Sequence, residues 1–228
     1  MRPEEVFTRR NLPHWYVPGA VHFVTYRLAG TIPMAVLHAL RCKREQAVQE
    51  SANETDSTRR DALKETAHKR FFGEYDAYLD SHTDIDWLRK PEIAGLIRQN
   101  LYHHHESKYY LVAYCIMPNH VHVLLQPADS LDERRDKDGP LSDIMHSLKS
   151  YTANQANRIL GRESTFWQAE SYDHWVRGRD ELGRIVEYVA QNPVKANLVS
   201  EPHEWFFCSA HDRYLMDGVK TGVLIYPE

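Results

Sequence analysis

Cysteine is scarce in this chain of 228 residues: Cys42, Cys115 and Cys208 are widely spaced and form no CxxC pair. That scarcity argues against a disulfide framework and against a cysteine-rich zinc site, and a reducing, cytoplasmic setting is expected. Long apolar runs are also missing, since none approaches the roughly 18 residues of a membrane span. The opening stretch, MRPEEVFTRRNLPHW, is charged and lacks the apolar segment of a signal peptide. No membrane partner is therefore expected. Basic excess is absent too: the formal net charge is −4, whereas dedicated duplex-binding domains are usually basic. Part of that balance is local, because EYDAYLDSHTDID (74–86) holds five acids and no Lys or Arg. Arg9, Arg10, Lys149, Arg158, Arg162, Arg177, Arg179 and Lys195 remain to meet phosphates, although each also reads as an ordinary solvated charge.

What is present is enough apolar content, 42%, to bury one substantial core. GAVHFVTYRL (19–28) alternates and is rich in β-branched and aromatic residues, so it is predicted as the first strand. From Met34 to about Phe72 the pattern is helical and heavily charged, interrupted near SANETDST. PEIAGLIRQNLYHHH (91–105) is an amphipathic helix opened by proline. KYYLVAYCIM (108–117) and HVHVLLQP (120–127) are strands separated only by Pro118-Asn119, which makes them antiparallel neighbours. A charged loop (127–139) precedes the long helix LSDIMHSLKSYTANQANRIL (141–160), which ends at Gly161. A fourth strand is expected within FWQAESYDHWV (166–176). A last helix, RDELGRIVEYVAQN (179–192), should stop near Asn192, because proline disfavours helical geometry in the residue before it. This order is the α+β, ferredoxin-like split βαβ plan, helices on an antiparallel sheet, with a charged helical insertion.

Within MPNHVHVLLQP (117–127), His120 and His122 stand one residue apart in an apolar run. Successive strand side chains alternate, so the two imidazoles share one face and Val121, Val123 and Leu125 take the other. Their Cα atoms would lie about 7 Å apart, close enough for both rings to converge on one ion. Two polar residues on the wet face of a half-buried strand would give the same pattern. On the last helix Leu182, Ile185, Val186 and Val189 form the apolar stripe. Tyr188 and Asn192 lie on one flank of it, about 110° and 70° from its centre. Tyr151 and Gln155 repeat that tyrosine-to-amide spacing on the preceding helix, and spacing alone does not choose between the pairs.

MPNHVHVLL, LKSYTANQANRILGR, FWQAESYDHWVR and above all YVAQNPVKANLV resemble the REP-associated tyrosine transposases, members of the HUH single-tyrosine transposase and nuclease superfamily. The resemblance begins at RNLPHWYVPGAVHFVTYRL and runs, with interruptions, to about residue 210. HxH alone is a weak signal; HxH followed by a tyrosine four residues before NPVKAxLV is a strong one. The resemblance implies one transposase domain of HUH endonuclease fold over 1–228. Its core is about 14–30 and 91–200, its helical insertion about 34–80 and its tail about 201–228. His120 and His122 match the metal-binding histidines, Asn192 falls at a polar third ligand, and Tyr188 matches the nucleophile. Tyr151 is then left to packing or DNA contact. Arg9, Arg10, Lys149, Trp167, Arg177 and Lys195 are candidate DNA contacts, and Tyr172 and Trp175 could also stack on bases. One departure stands out: EWFFCSA occurs where the family usually has a WPxSS-like stretch.

Two neutral imidazoles and an amide suit Mg²⁺ or Mn²⁺, since they leave the ion its full double charge to polarise a phosphodiester. The expected activity is cleavage and rejoining of single-stranded or hairpin DNA, of the kind formed by repetitive palindromes, through a 5′-phosphotyrosine. The alternatives are a non-catalytic nucleic-acid-binding or regulatory protein on the same fold, or a replication-initiator or relaxase-type nuclease. The protein is expected to act as a monomer or homodimer.

Overall fold

The computed structural model describes the main chain of residues 6–9 and 13–15, and main and side chains of 16–128 and 139–212. Two short strands precede the one expected first: Val6–Arg9 (β1) pairs antiparallel with Pro13–Tyr16 (β2). The charged, proline-containing sequence hides this hairpin, because proline is tolerated at the first residue of a strand but removes a ladder donor. His22–Arg27 (β3) follows.

Residues 30–85 form one compact unit and the rest of the described chain another. The smaller unit is a helical pair, Met34–Ser51 (α1) and Ser57–Ser81 (α2), packed against each other. Asp56 caps α2 by accepting from the Arg59 N–H at 2.9 Å, where SANETDST breaks the helical pattern. α2 runs past Phe72 because Ala67, Phe71, Tyr75 and Leu79, all buried, recur every fourth residue and extend one stripe. The Arg44 guanidinium lies 5.0 Å from the Phe71 ring centroid, so its charge is set against an aromatic face.

In the larger unit Pro91–His103 (α3) leads to Tyr109–Ile116 (β4) and His120–Pro127 (β5), then to Gly139–Leu160 (α4), Tyr172–Trp175 (β6) and Arg179–Lys195 (α5). The sheet is antiparallel throughout, in the order β4-β5-β3-β6. Two central strands that are non-consecutive in sequence, with the crossovers made by helices, give the split βαβ arrangement. The fourth strand is only four residues long, since residues 166–171 run as irregular chain bridged to Leu28 through Trp167.

Alternation assigns the faces. Phe23, Thr25 and Arg27 share one with His120 and His122, with Thr25 opposite His122 and Arg27 opposite His120. α5 covers this face: the Tyr188 ring stands 6.1 Å from Phe23. The other face, carrying Tyr26, Tyr114 and Val123, belongs to α3 and α4. There Tyr102 of α3 meets Tyr114 edge-on at 5.9 Å. Trp167 packs on Tyr26 at 4.8 Å while its Nε1 donates to Thr152 of α4 at 2.9 Å. Leu182, Val186 and Val189 are buried along α5, and each such side chain contributes about 1.5–3 kcal/mol relative to exposure.

α5 does not stop at Asn192 as expected; it continues through Pro193 to Lys195. Proline forfeits one intrahelical bond, but the helix closes beyond it. Leu198 N–H bonds the Pro193 carbonyl and Asn197 N–H the Val194 carbonyl, each at 2.9 Å. Asn197, at φ 54°, supplies the left-handed residue of this Schellman cap.

The segment EWFFCSA lies along the free edge of β4. Ile116 N–H donates to Phe207 O at 2.9 Å, Cys115 stands opposite Cys208, and Trp205 Nε1 donates to Ile116 O at 2.9 Å. Just beyond, the buried Asp212 carboxylate accepts from Arg98, from Tyr102 at 2.7 Å and from Tyr114. Burial, then that carboxylate, push the Tyr102 phenol up to about 12, and Tyr114 higher still for the same reasons.

Candidate active site

The hairpin between β4 and β5 sets the position of the two histidines. Met117 N–H bonds the His120 carbonyl at 2.9 Å across Pro118-Asn119, and Leu28 N–H bonds the Asn119 carbonyl at 2.9 Å. The β5 register then places His120 and His122 on the α5 face, both fully buried. Their Nε2 atoms meet at 3.0 Å. On the far side of each ring, His120 Nδ1 contacts Asn119 Oδ1 at 2.6 Å and His122 Nδ1 contacts Thr25 Oγ1 at 2.8 Å. The wet-face reading of the HxH pattern therefore does not describe this strand.

α5 brings Tyr188 to the same place. Its ring centroid is 5.8 Å from that of His122, at an interplanar angle of 72°. The Lys195 ammonium sits 4.0 Å from the centroid of the Tyr188 ring, the range of a cation–π contact. One turn beyond Tyr188, Asn192 is fully buried, and neither its Oδ1 nor its Nδ2 has a hydrogen-bond partner among the described residues. A buried amide with both ends unmet is costly unless something outside the protein satisfies it. Glu181 fixes the start of α5 by accepting from His174 Nε2 at 3.1 Å and from Arg177 N at 2.7 Å. Burial raises the Glu181 carboxyl, and these two donors more than offset it, leaving it below its ordinary range.

The two facing imidazoles fit a divalent ion. Two Nε2 atoms at 3.0 Å demand a proton or a cation between them, because two facing lone pairs repel. Imidazole nitrogens are ordinary ligands for a divalent metal ion.

Residues 97–192, which include both histidines, Tyr188 and Asn192, match the family model described as Transposase IS200 like. The matched span is less than half of this chain. A Haemophilus influenzae relative, provisionally named a REP-associated tyrosine transposase, is 31% identical over 102 residues, covering 44% of this chain. The aligned region spans 58% of that relative's own length. Among solved structures, a REP-associated tyrosine transposase bound to a REP hairpin superposes with a TM-score of 0.50. It shares 15% identity and covers 96% of this chain and 93% of that one, a likeness of fold.

The remaining candidates divide by location. Tyr151 is 50% exposed on α4, on the sheet face opposite the histidines. Trp167 is a core residue, hydrogen-bonded to Thr152, so its ring offers no free face to a base. Lys149 is half-buried, with Nζ donating to Ala169 O at 2.8 Å and to Ser171 Oγ at 3.3 Å. Burial, with Arg27 adding repulsion, lowers its amine to about 8. Arg177 is exposed, its guanidinium 4.9 Å from the Trp175 ring. Arg9 ends β1 with its side chain outside the described residues, and Arg10 lies outside them altogether, as does most of the expected charged loop. Sequence reasoning missed Thr25 and Asn119. Thr25 carries a signal only once β3 is paired with β5, whereas Asn119 stands directly before the HxH pattern.

Proposed function

We propose that the protein cuts and rejoins single-stranded or hairpin DNA by metal-dependent transesterification at Tyr188. The Tyr188 hydroxyl attacks a phosphorus of the DNA strand, and the bond from that phosphorus to the 3′-oxygen breaks. The phenolic proton is lost as the 3′-oxygen gains one, leaving a 5′-phosphotyrosine and a free 3′-hydroxyl. Because an ordinary phenol has a pKa of about 10, the phenolate is also a reasonable leaving group when a 3′-hydroxyl attacks in reverse. The bond energy is conserved, which suits strand transfer better than hydrolysis.

The observation that carries this reading is the meeting of Tyr188 with the histidine pair, ring to ring at 5.8 Å. His120, His122 and Asn192 would hold Mg²⁺ or Mn²⁺, which when bound offsets charge developing on the phosphate. Lys195, whose ammonium lies beside the Tyr188 ring, would meet the phosphate that tyrosine receives. A hairpin substrate agrees with the DNA in the structure of similar fold. We read residues 34–80 as an insertion into one transposase domain, since β3 before it and β4 after it belong to the same sheet.

The test incubates protein with a hairpin oligonucleotide and Mg²⁺ or Mn²⁺, followed by denaturing electrophoresis and mass spectrometry. A covalent adduct at Tyr188 is expected, abolished by EDTA and by His120→Ala. Unchanged cleavage in EDTA refutes the mechanism, and hairpin binding without any adduct assigns the chain to the non-catalytic class.

A further inference from the structure

We infer that Thr25 is a positioning residue that sets the tautomer of His122 and so prepares the histidine pair to take a divalent cation. The inference rests on the reading of His120 and His122 as ligands. Asn119 fixes the first ring. Its Oδ1 has no proton to give, so at 2.6 Å it accepts one from His120 Nδ1, and His120 Nε2 presents a lone pair. That lone pair points at His122 Nε2, 3.0 Å away.

Thr25 is different in kind, because a hydroxyl both donates and accepts. At 2.8 Å from His122 Nδ1 it supports two arrangements. In the first, the Thr25 hydroxyl donates to Nδ1, and His122 Nε2–H donates to His120 Nε2. In that arrangement His122 Nε2 carries a proton and cannot ligate a cation. In the second, His122 Nδ1–H donates to Thr25 Oγ1, and both Nε2 lone pairs converge on one point, open to a cation. Passing from one to the other moves a single proton from Nε2 to Nδ1 and rotates one hydroxyl. Both rings stay neutral and neither has to move. Thr25 is fully buried on the central strand directly opposite His122, so no solvent competes for the contact.

Metal-ligating histidines are held by partners on their other ring nitrogen, and losing such a partner typically weakens metal binding by about 10- to 100-fold. Thr25→Val keeps the branched shape and removes the hydroxyl. Its affinity for Mn²⁺, measured by calorimetry on the full chain, should fall within that range, and Thr25→Ser should restore it. Long-range ¹H–¹⁵N spectra of histidine-labelled wild-type protein give a direct readout without any variant at Thr25. The His122 signal, identified by its loss in His122→Ala, should change from the Nε2–H to the Nδ1–H pattern on adding Mg²⁺.

Wild-type Mn²⁺ affinity in Thr25→Val, or an Nδ1–H pattern already present and unchanged by Mg²⁺, overturns the role of Thr25. A failure of the ligand reading looks different: His122→Ala itself then binds Mn²⁺ as tightly as wild type.

Discussion

Asn192→Leu should make the metal-free protein more stable while removing its response to metal. The amide is fully buried on α5 with both polar atoms unmet among the described residues. Each buried polar group left without a partner costs about 1–3 kcal/mol. Leucine has the same number of side-chain heavy atoms, so the exchange opens no cavity, though its tetrahedral branch fits a planar slot imperfectly. Setting that misfit, typically under ~1.5 kcal/mol, against two relieved polar atoms leaves a net gain of about 2 kcal/mol. For a chain of this size that is a rise in melting temperature of about 4–8 °C. The wild type regains the difference only when metal binds, since saturation to 100 times Kd stabilises by about 2.7 kcal/mol. Thermal melts in EDTA and in saturating Mn²⁺ decide the matter. Asn192→Leu should melt above wild type in EDTA and show no Mn²⁺-dependent rise. A variant that melts lower in EDTA and still gains stability from Mn²⁺ refutes the argument, because the amide would then be satisfied within the fold and uninvolved with the ion.

Tyr188→Phe removes one oxygen and keeps the ring against Phe23 and His122, so the fold should persist and the DNA adduct should vanish. Tyr151→Phe should leave adduct formation intact, and a normal adduct in Tyr188→Phe overturns the assignment. In gel-shift competition a hairpin with a single-stranded flank should outcompete random duplex at equal concentration. Duplex binding of equal strength, falling steeply with salt, would indicate broad phosphate neutralisation instead. Lys149, lowered to about 8, should titrate near that pH in ¹³C-dimethyl-lysine spectra while exposed lysines titrate some two units higher. The unfolded chain then binds more protons than the folded one between pH about 8 and 10.4. Lys149 therefore adds a rise in stability with pH across that window, and Lys149→Met should flatten it.

The sequence displays period and punctuation, and those parts of the fold were legible. Period-two alternation placed His120 and His122 on one face of β5, and Pro118-Asn119 marked the turn to β4. The α5 stripe was equally plain. The β1–β2 hairpin escaped notice because its strands are only four residues long and carry charge and proline. Pro193 misled in the opposite direction. Its cost was judged locally, whereas the Asn197-centred cap five residues beyond the expected stop closes the helix past it. That continuation matters to the proposed site, because a helix ending at Asn192 would fray at the residue proposed as third ligand.

Two tyrosines with the same spacing to an amide could not be separated by any local rule, and the reason is topological. Tyr151 and Tyr188 sit on helices of similar character, each with an amide one turn onward. What distinguishes them is the side of the sheet on which each helix lands. That is decided by crossovers tens of residues long, which leave no mark in an eleven-residue window. The motif ending in NPVKANLV carried the choice without explaining it. The structure supplies a physical reason: α4 covers the face of Tyr26 and Tyr114, leaving Tyr151 half exposed, while α5 covers the face of Thr25, His120 and His122. On the function proposed above, the histidine pair favours Tyr188 over Tyr151. Reversing the register of β5 by one residue would turn both imidazoles toward α4 and strand Tyr188 against valines, with every residue type unchanged.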